Sequence, residues 1–370
     1  MSNPLDGIRV LDLTRVLSGP FATMTLADLG ADVVKIEHAQ GDDTRGFGPP
    51  FSQGISTYYL SINRGKRSIV ADLKDPDDLA MVQRLAREAD VVIENFRPGV
   101  CARLGLGYET LREANPPLVY CSISGFGQDR PGAGYDLVIQ GLSGIPSITG
   151  TGEVPWKTGT SIADIVAGMN ATQGILAALV RRQRTGEGAF VDVSMLDGQL
   201  ALLSYHASAW LNGGSVPVPR GNTHPSIHPY QPYQASDGWV NVACGSDSMF
   251  ASLSKALGES WHLDARFATN AARIAHRAEL DSELEPRFRE RTVEAWTSRL
   301  GELGIAGGAM ASVPDALKRA HPCAHPHPGG QGEVFSLPPG FRLSEAAWTA
   351  ARPPPALGAD RDEVLRDWLD

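Results

Sequence analysis

Strand-like and helix-like segments alternate through the first 125 residues, and this alternation constrains the fold more than any other feature of the chain. Apolar-rich runs predict five strands, at Ile8–Leu13, Asp32–Ile36, Ser68–Asp72, Val91–Glu94 and Leu118–Ile123. Helices are predicted between them, at Phe21–Leu29 and Pro76–Ala89. Strands that alternate with helices form a parallel sheet that is covered on both faces. We therefore predict an α/β fold with a large Rossmann-like domain and a mostly parallel sheet.

The rest of the chain predicts a second, smaller domain. Two helices, Ile162–Arg184 and Met195–Leu211, precede a segment rich in proline and histidine, Ser215–Pro232. Beyond it we predict a strand and three helices, at Trp239–Cys244, Met249–Leu257, Arg273–Arg289 and Val293–Leu303. A second crossing, His321–Gly332, leads to a tail that ends in a helix within Pro353–Leu369. The predicted parts are a large domain over 1–215, linkers and a small α+β domain over 216–332, and a return to the large domain over 333–370.

Composition excludes several classes of function. The net charge of −9 disfavours a nucleic-acid partner, because binding to phosphates needs a basic surface. No run of about 18 uncharged apolar residues and no signal peptide are seen, so we expect no membrane association and a cytoplasmic protein. The four cysteines form no CxxC pair and are expected to be free thiols. His224 and His228 have i, i+4 spacing, but Pro225 and Pro229 oppose a helix there, so we predict no metal site.

A series of local motifs resembles family III of the CoA-transferases, the CaiB/BaiF group that includes formyl-CoA transferase, carnitine CoA-transferase and α-methylacyl-CoA racemase. The motifs occur in the same order over about two thirds of the chain: Leu5–Glu37, Gly41–Gly46, Asn63–Ile69, Asp90–Val100, Ser122–Gly127, Gly134–Gly144, Ser161–Leu179, Thr185–Asp197 and Gly221–Gln231. The resemblance implies an interlocked, ring-shaped homodimer. It also implies no tightly bound cofactor, with coenzyme A thioester as a substrate.

Asp164 is the residue that the resemblance marks as the nucleophile. It is the only acid in Ser161–Met169 and has small and apolar neighbours. Partial desolvation of such a carboxylate raises its pKa and its nucleophilicity. The same residues allow another interpretation, because Ser161-x-x-Asp164 also fits a capping box at the start of a helix. The family's mechanism implies an aspartyl–acyl anhydride and an aspartyl-CoA thioester at Asp164.

Tyr135 separates two activities that the resemblance allows. The racemases carry a histidine in this Gly-x-Asp motif and use it as a base. Tyrosine, with an ordinary pKa near 10, is a poor base at neutral pH. It can instead donate a hydrogen bond to the substrate or the anhydride, so Tyr135 favours a transferase. Asp136 beside it is more typical of a helix cap or an ion-pair partner.

The remaining site residues come from the family's motifs. Those expected to bind CoA are Val16, Leu17, Arg45, Lys66, Arg67, Asn95, Phe96, Arg97 and Arg103. Asn95–Gly99 follows a predicted strand, where ligands gather in open α/β sheets. Leu17 stands where formyl-CoA transferase has glutamine, which argues against formyl or oxalyl specificity. Asn222 and His224 are expected to contact the acceptor carboxylate, and Gly221–Gln231 favours a small dicarboxylic acid.

We thus predict a CoA-transferase that moves CoA from an acyl-CoA donor, such as succinyl-CoA, to a free carboxylic acid. An α-methylacyl-CoA racemase or epimerase is the alternative within the fold. A non-catalytic acyl-CoA-binding protein is the alternative outside catalysis.

Overall fold

The computed structural model describes residues 3–344 and 352–370. These residues fall into two compact units: the first comprises Met1–Pro146, Lys157–Val216 and His321–Asp370, and the second comprises Ser147–Trp156 and Pro217–Ala320. The predicted boundary at 215/216 lies beside the boundary between Val216 and Pro217. The chain returns to the first unit at His321, earlier than the predicted residue 333.

The strands, numbered in chain order, are β1 Arg9–Asp12, β2 Asp32–Glu37, β3 Phe51–Ser52, β4 Ile55–Ser56, β5 Lys66–Val70, β6 Val91–Glu94, β7 Val119–Ser124, β8 Ala189–Ser194, β9 Tyr230–Gln234, β10 Trp239–Ala243, β11 Ala306–Ala309, β12 Cys323–Pro326 and β13 Glu333–Ser336.

The helices are α1 Ser18–Asp28, α2 Thr57–Ile62, α3 Pro76–Glu88, α4 Val100–Arg103, α5 Tyr108–Ala114, α6 Asp136–Ser143, α7 Ile145–Ile148, α8 Ile162–Thr185, α9 Met195–Leu202, α10 Ser204–Gly213, α11 Asp247–Ala256, α12 Asn270–Ala275, α13 Arg277–Phe288, α14 Val293–Glu302, α15 Val313–Leu317 and α16 Arg361–Leu369. Short 3₁₀ turns occupy Asp43–Gly46 and Trp261–Leu263.

A six-stranded parallel sheet in the order β5-β2-β1-β6-β7-β8 organises the first unit. The chain builds outward from β1 through β2 to β5, and then adds β6, β7 and β8 on the other side of β1. The direction of building therefore reverses between β1 and β6. In an open α/β sheet the crevice outside the carboxyl ends of the strands at such a reversal is where ligands bind.

Two apolar clusters cover the sheet. One joins strand residues such as Val10, Val33 and Val119 to helices α1 and α8. The other joins strand residues such as Leu11 and Val92 to helices α3 and α16. The described part of the C-terminal tail thus belongs to the first unit, with Val364 and Trp368 of α16 buried in the second cluster. Both faces of the sheet are covered, which explains why strands such as β1, β6 and β7 are rich in apolar residues.

Local signals account for the helix boundaries. Asp75 accepts hydrogen bonds from the backbone N–H groups of Asp77 and Asp78, and Pro76 occupies the first position of α3. Gly186 ends α8 in the left-handed conformation, with φ of 75°. By length and composition α8 is also apolar enough to cross a membrane, but core helices pass the same test. Buried residues of α8, among them Ala167, Ala171 and Ile175, belong to the first apolar cluster.

The second unit contains a three-stranded antiparallel sheet, in the order β11-β10-β9, and helices of which α11, α13 and α14 pack on it. Its core is aromatic: Tyr233 stacks on Phe288 with ring centroids 4.5 Å apart, and Trp296 packs beside Phe288. Strand β10 lies within the predicted Trp239–Cys244. Sequence patterns did not reveal β8, β9 or β11, the last of which is only Ala306–Ala309.

Two predicted helices are interrupted. The predicted helix Met195–Leu211 breaks at Ser204, whose φ of 43° leaves the helical region, and the chain continues as α10. The predicted helix Arg273–Arg289 breaks at His276, between α12 and α13. Apolar spacing continues through both breaks, so the sequence pattern did not indicate them.

Candidate active site

The turns that follow β1 and β6 are joined by the side chain of Asn95. Its Oδ1 accepts a hydrogen bond from the backbone N–H of Arg15 at 2.9 Å, and its Nδ2 donates to the Arg15 carbonyl at 2.7 Å. The Asn95 carboxamide therefore bonds both the backbone N–H and the backbone carbonyl of Arg15, a residue 80 positions away in the chain. The two turns are held together at the point where the direction of building reverses.

Val16, the next residue, has a positive φ of 66°. This conformation is rare for a β-branched residue and costs on the order of 1–3 kcal/mol. Contacts on either side hold it, because the Arg15 peptide is bound by Asn95 and the Val16 N–H donates to Asp42 Oδ1 at 3.3 Å. Strain of this kind clusters at functional sites.

Asp164 lies in the first turn of α8, and its helix is not capped as the sequence suggested. The Ser161 side chain makes no capping hydrogen bond, so the capping-box interpretation is wrong. The Ala163 N–H donates instead to Asp136 Oδ1 at 3.0 Å. Asp136 is held in turn by Gln140 Nε2, at 2.8 Å. Asp136 thus caps the helix that carries Asp164, which leaves the Asp164 carboxyl available for other contacts.

A cavity of about 320 Å³ contains both turns and the start of α8. It brings together six of the predicted site residues: Val16, Asn95, Phe96, Arg97, Tyr135 and Asp164. Gly125 and Gly134 form part of its wall, where a Cβ on Gly134 would lie only 2.3 Å from Gly125 Cα. Only glycine allows this approach, and it places Tyr135, whose side chain is exposed, at the cavity.

Burial and then the neighbouring carboxyl of Asp136 raise the pKa of Asp164 to about 7. Ser18 has the opposite effect, because its hydroxyl lies within hydrogen-bonding reach and favours the charged form. The carboxyl is therefore divided between acid and carboxylate near neutral pH. A desolvated carboxylate of this kind, in a cavity, suits nucleophilic attack.

Two site residues escaped the sequence analysis. Burial, together with the charges of Asp164, Asp136 and Asp42, raises the pKa of Tyr58 to about 12, so Tyr58 lies within electrostatic range of these carboxyls. No sequence pattern distinguished Tyr58. Ser18 lines the cavity at the start of α1. Its position after the first strand, where dinucleotide-binding folds have a glycine-rich turn, was a usable signal.

A second cavity, of about 330 Å³, shares Arg15, Phe96 and Val100 with the first. It contains Arg103, as predicted for a CoA-binding residue, and adds His38 and Lys74 beyond β2 and β5. The two cavities are therefore neighbours along the carboxyl edge of the sheet. The first cavity contains the Asp164 carboxyl, and the second contains Arg103 and Lys74 together with the acids Glu37, Asp42 and Asp72.

Four residues predicted to bind CoA lie outside both cavities: Leu17, Arg45, Lys66 and Arg67. Leu17 is buried in the fold. Arg45 forms a bidentate pair with Glu37, both contacts at 2.7 Å, and its guanidinium stacks on Tyr59. None of these side chains lines either cavity.

The cations of Lys66 and Arg67, which the family motifs predict to bind CoA, are paired with carboxylates inside the protein. Lys66 is buried, with its Nζ 3.2 Å from Asp12 Oδ2. Arg67 pairs with Asp32 on β2 and, at 2.8 Å, with Asp367 of α16. A buried cation in a satisfied pair has no free donor to offer a phosphate.

Asn222 and His224 lie in the second unit. Asn222 is exposed, whereas the His224 ring packs on Tyr230 with centroids 5.1 Å apart. Arg277 donates to the His224 carbonyl at 2.9 Å and contacts His228 Nδ1 at 3.0 Å. His228 thus faces a guanidinium, which disfavours metal binding at the His224–His228 pair. The contact of Asn222 and His224 with substrate stays a prediction.

Comparison with known proteins agrees with this geometry. The model of CoA-transferase family III matches residues 5–361. The human succinyl-CoA:glutarate CoA-transferase is 39% identical over 99% of this chain and 86% of its own length. The succinate–glutarate CoA-transferase of Agrobacterium fabrum is 41% identical over 98% of this chain and 95% of its own. The crystal structure of a CaiB/BaiF family protein from Brucella suis superposes over 100% of both chains, with a TM-score of 0.87 and 40% identity. The chain therefore belongs to CoA-transferase family III, and it is a CoA-transferase.

Proposed function

We propose that this enzyme moves CoA from a dicarboxylic acyl-CoA, such as succinyl-CoA, to a small dicarboxylic acid such as glutarate. The observation that carries the proposal is the half-buried Asp164 carboxyl, with its pKa raised to about 7, in a cavity at the carboxyl edge of the sheet. The names of the relatives support the substrate class, since the human and Agrobacterium proteins are named for succinate and glutarate. A relative from Haloarcula hispanica, 41% identical, is named for succinyl-CoA and mesaconate.

In the proposed mechanism Asp164 forms covalent intermediates. Its carboxylate attacks the thioester carbonyl of the donor, the carbon–sulfur bond breaks, and CoA leaves as a thiolate. The thiolate then attacks the aspartyl carbonyl of the resulting anhydride, which releases the donor acid and leaves an aspartyl-CoA thioester. The acceptor carboxylate attacks this thioester and expels the thiolate again. A final attack of the thiolate on the new acyl group yields the product acyl-CoA and restores Asp164. No proton is consumed, and each bond formed is balanced by one broken.

The residues around Asp164 suit these steps. Every attack develops negative charge on a carbonyl oxygen, which needs nearby hydrogen-bond donors. Tyr135 and Tyr58 are the donors that we assign to this task, because Tyr135 lines the cavity and Tyr58 lies within electrostatic range of Asp164. The N-terminal end of α8 also favours negative charge on Asp164.

We place the adenosine and phosphate end of CoA in the second cavity and the pantetheine arm along Phe96 and Val100, which both cavities share. Arg103 and Arg97 are exposed and supply cations for the phosphates.

Arg103→Ala should raise the KM for acyl-CoA about tenfold, as expected for one lost charge-assisted contact. Arg112→Ala on α5, an exposed arginine outside both cavities, is the matched control and should leave that KM unchanged.

The structure disfavours the racemase alternative. A racemase would need Asp136 as a base, but this carboxyl accepts hydrogen bonds from Gln140 and from the Ala163 N–H. The other motif position, where the racemases carry a histidine base, is occupied by Tyr135. Incubation in deuterated buffer separates the activities: transfer yields a new acyl-CoA without α-deuterium, whereas deuterium uptake without a new acyl-CoA would overturn the proposal.

Two measurements test the function directly. Wild-type enzyme is mixed with succinyl-CoA and either glutarate or a monocarboxylic acid of equal length, and products are identified by mass spectrometry. We expect glutaryl-CoA to form faster than the monocarboxylic product; equal rates would remove the dicarboxylic preference. Hydroxylamine added with donor alone should trap an aspartyl hydroxamate at Asp164. A non-catalytic acyl-CoA-binding protein would give neither product nor adduct.

We further propose that the protein works as a homodimer, interlocked as in the family, in the cytoplasm. Large apolar side chains of α6, α8, α9 and α10 are exposed on the single chain: Leu137, Leu142, Val180, Leu200, Leu202, Trp210 and Leu211. An apolar surface of this extent is typical of an interface between subunits. Light scattering after size-exclusion chromatography should give twice the chain mass of 39.5 kDa, and a stable monomer would overturn the proposal.

A further inference from the structure

Helices α1 and α8 approach each other closely at Gly168, four residues after the proposed nucleophile Asp164. A Cβ on Gly168 would lie 2.6 Å from the carbonyl oxygen of Ser18, so only glycine fits at this contact. Gly168 follows Asp164 by four residues and therefore lies on the same face of α8. The close approach at Gly168 consequently sets Asp164 against the first turn of α1.

Ser18 is the first residue of α1 and has a side chain well suited to meet that carboxyl. It is 3% exposed and lines the same cavity as Asp164. Asn95 Nδ2 donates to Ser18 Oγ at 3.4 Å, while the same carboxamide binds the peptide of Arg15. A serine hydroxyl carries a single proton. When Asn95 supplies a donor to Ser18 Oγ, the proton of Ser18 is free to point at Asp164.

We propose that Ser18 is a positioning residue for the nucleophile: its hydroxyl donates to the Asp164 carboxylate, and Asn95 fixes the direction of that hydroxyl from the other side. This inference rests on the proposed function of Asp164 as nucleophile. It concerns how the carboxyl is held in its reactive form, and it links residues 18, 95 and 164 into one chain of hydrogen bonds.

The other groups around Asp164 explain why a neutral donor matters. Asp136 on α6 opposes the charge on Asp164, and Tyr135 lines the same cavity. Burial, with Asp164 among the nearby carboxyls, raises the pKa of Tyr58 to about 12, so its phenol is neutral at neutral pH. Arg15 and Arg97 line the cavity as its cations. Burial and Asp136 raise the pKa of Asp164, and Ser18 lowers it, so losing the hydroxyl should leave more of the nucleophile protonated at neutral pH.

The test is the pH dependence of kcat/KM for acyl-CoA between pH 5.5 and 9, which reports the protonation of the free enzyme. In wild-type enzyme kcat/KM should rise with pH through about 7, because the carboxylate is the reactive form. In Ser18→Ala the midpoint of this rise, the rising limb of the pH profile, should move to higher pH, with kcat/KM lowered about tenfold at pH 6.5 and less at pH 9. In Ser18→Cys, which retains a weaker donor, the midpoint should lie between those of wild type and Ser18→Ala.

Thr25→Ala is the matched control, because Thr25 lies on the same helix and its hydroxyl bonds to the Phe21 carbonyl within α1. It should keep the wild-type limb. The proposal is overturned if Ser18→Ala and Ser18→Cys keep the wild-type limb, or if Thr25→Ala moves the limb as much as Ser18→Ala does. These outcomes differ from failure of the proposed function, which would appear as no transfer by wild-type enzyme or as transfer retained in Asp164→Ala.

Discussion

Two carboxyl groups, the buried Asp12 and the half-buried Asp164, lie beside hydroxyls of the same helix, α1, yet have opposite electrostatic surroundings. Thr23 donates to Asp12 Oδ2 at 2.6 Å, and Ser18 lies within reach of Asp164. Burial favours the neutral form of both. At Asp12 the cations Lys66 and Lys35, with hydrogen bonds from Thr14 and Thr23, overcome burial and lower the pKa to about 2.

Asp164 has a carboxyl, Asp136, where Asp12 has two lysines, and its pKa is raised to about 7. The two pKa values differ because the neighbouring charges differ, so burial alone does not make a carboxyl reactive. A carboxylate that is paired with buried lysines has a structural role. A desolvated carboxylate that lacks such cations is more nucleophilic. The following predictions test this contrast, beginning with the largest effect.

Asp164→Ala should abolish CoA transfer, with a loss of about 10³-fold or more, because the covalent route disappears with the nucleophile. Steady-state kinetics with succinyl-CoA and glutarate measure the loss. Isothermal titration should show that CoA still binds, since Arg103, a cation proposed for its phosphates, lies in the neighbouring cavity. Activity within tenfold of wild type would show that Asp164 is not the nucleophile.

Asp12→Asn should destabilise the fold by about 3–5 kcal/mol, because Lys66 would be left buried without its ion-pair partner. Lys35 would keep its contact with Asp42 Oδ2 at 2.8 Å. Urea unfolding at pH 7 measures the free energy of unfolding. A change below about 1 kcal/mol would mean that the buried lysines do not depend on Asp12.

Replacing Asp164 by asparagine should change the free energy of unfolding in the opposite direction to Asp12→Asn. The folded pKa of Asp164, about 7, lies above its ordinary value of 3.8, so the folded state holds its proton more strongly and loses stability as pH rises between these values. Asp164→Asn should therefore stabilise the protein by about 1–3 kcal/mol at pH 8 and by much less at pH 4.5. Unfolding at both pH values checks this. An equal effect at the two pH values would contradict the raised pKa.

Tyr135→Phe should have the smallest effect, lowering kcat about threefold to tenfold, since it removes one neutral hydrogen-bond donor. The KM for acyl-CoA should change little. Tyr58→Phe offers a comparison of the two phenols around Asp164. A loss at Tyr135 as large as that of Asp164→Ala would give this tyrosine a role beyond hydrogen bonding.

Local patterns in the sequence predicted the parallel sheet, because β1, β2, β6 and β7 are short apolar-rich segments that alternate with helices. They also predicted Asn95–Gly99 as a ligand-binding turn, since it follows a strand at the carboxyl edge. Patterns failed at Ser204 and His276, where apolar spacing continues through a break in the helix. The cause there is a backbone angle or a turn, which apolar spacing does not encode.

Charge was the property least predictable from sequence. Lys66 and Arg67 belong to a family motif that predicts CoA binding, and the fold pairs them with Asp12, Asp32 and Asp367. A residue's type specifies its charge, but only contacts between distant segments decide whether that charge faces a groove or an internal partner.

By itself the sequence determined the α/β class and the family, and it singled out Asp164 as the candidate nucleophile, because apolar periods and short motifs are local. The tertiary structure alone decided that Asp136 caps α8, that Asn95 binds Arg15, and that Gly168 of α8 touches the Ser18 carbonyl of α1. These contacts join residues from 27 to about 150 positions apart. Side-chain packing brings them together, and no local pattern in the chain records it.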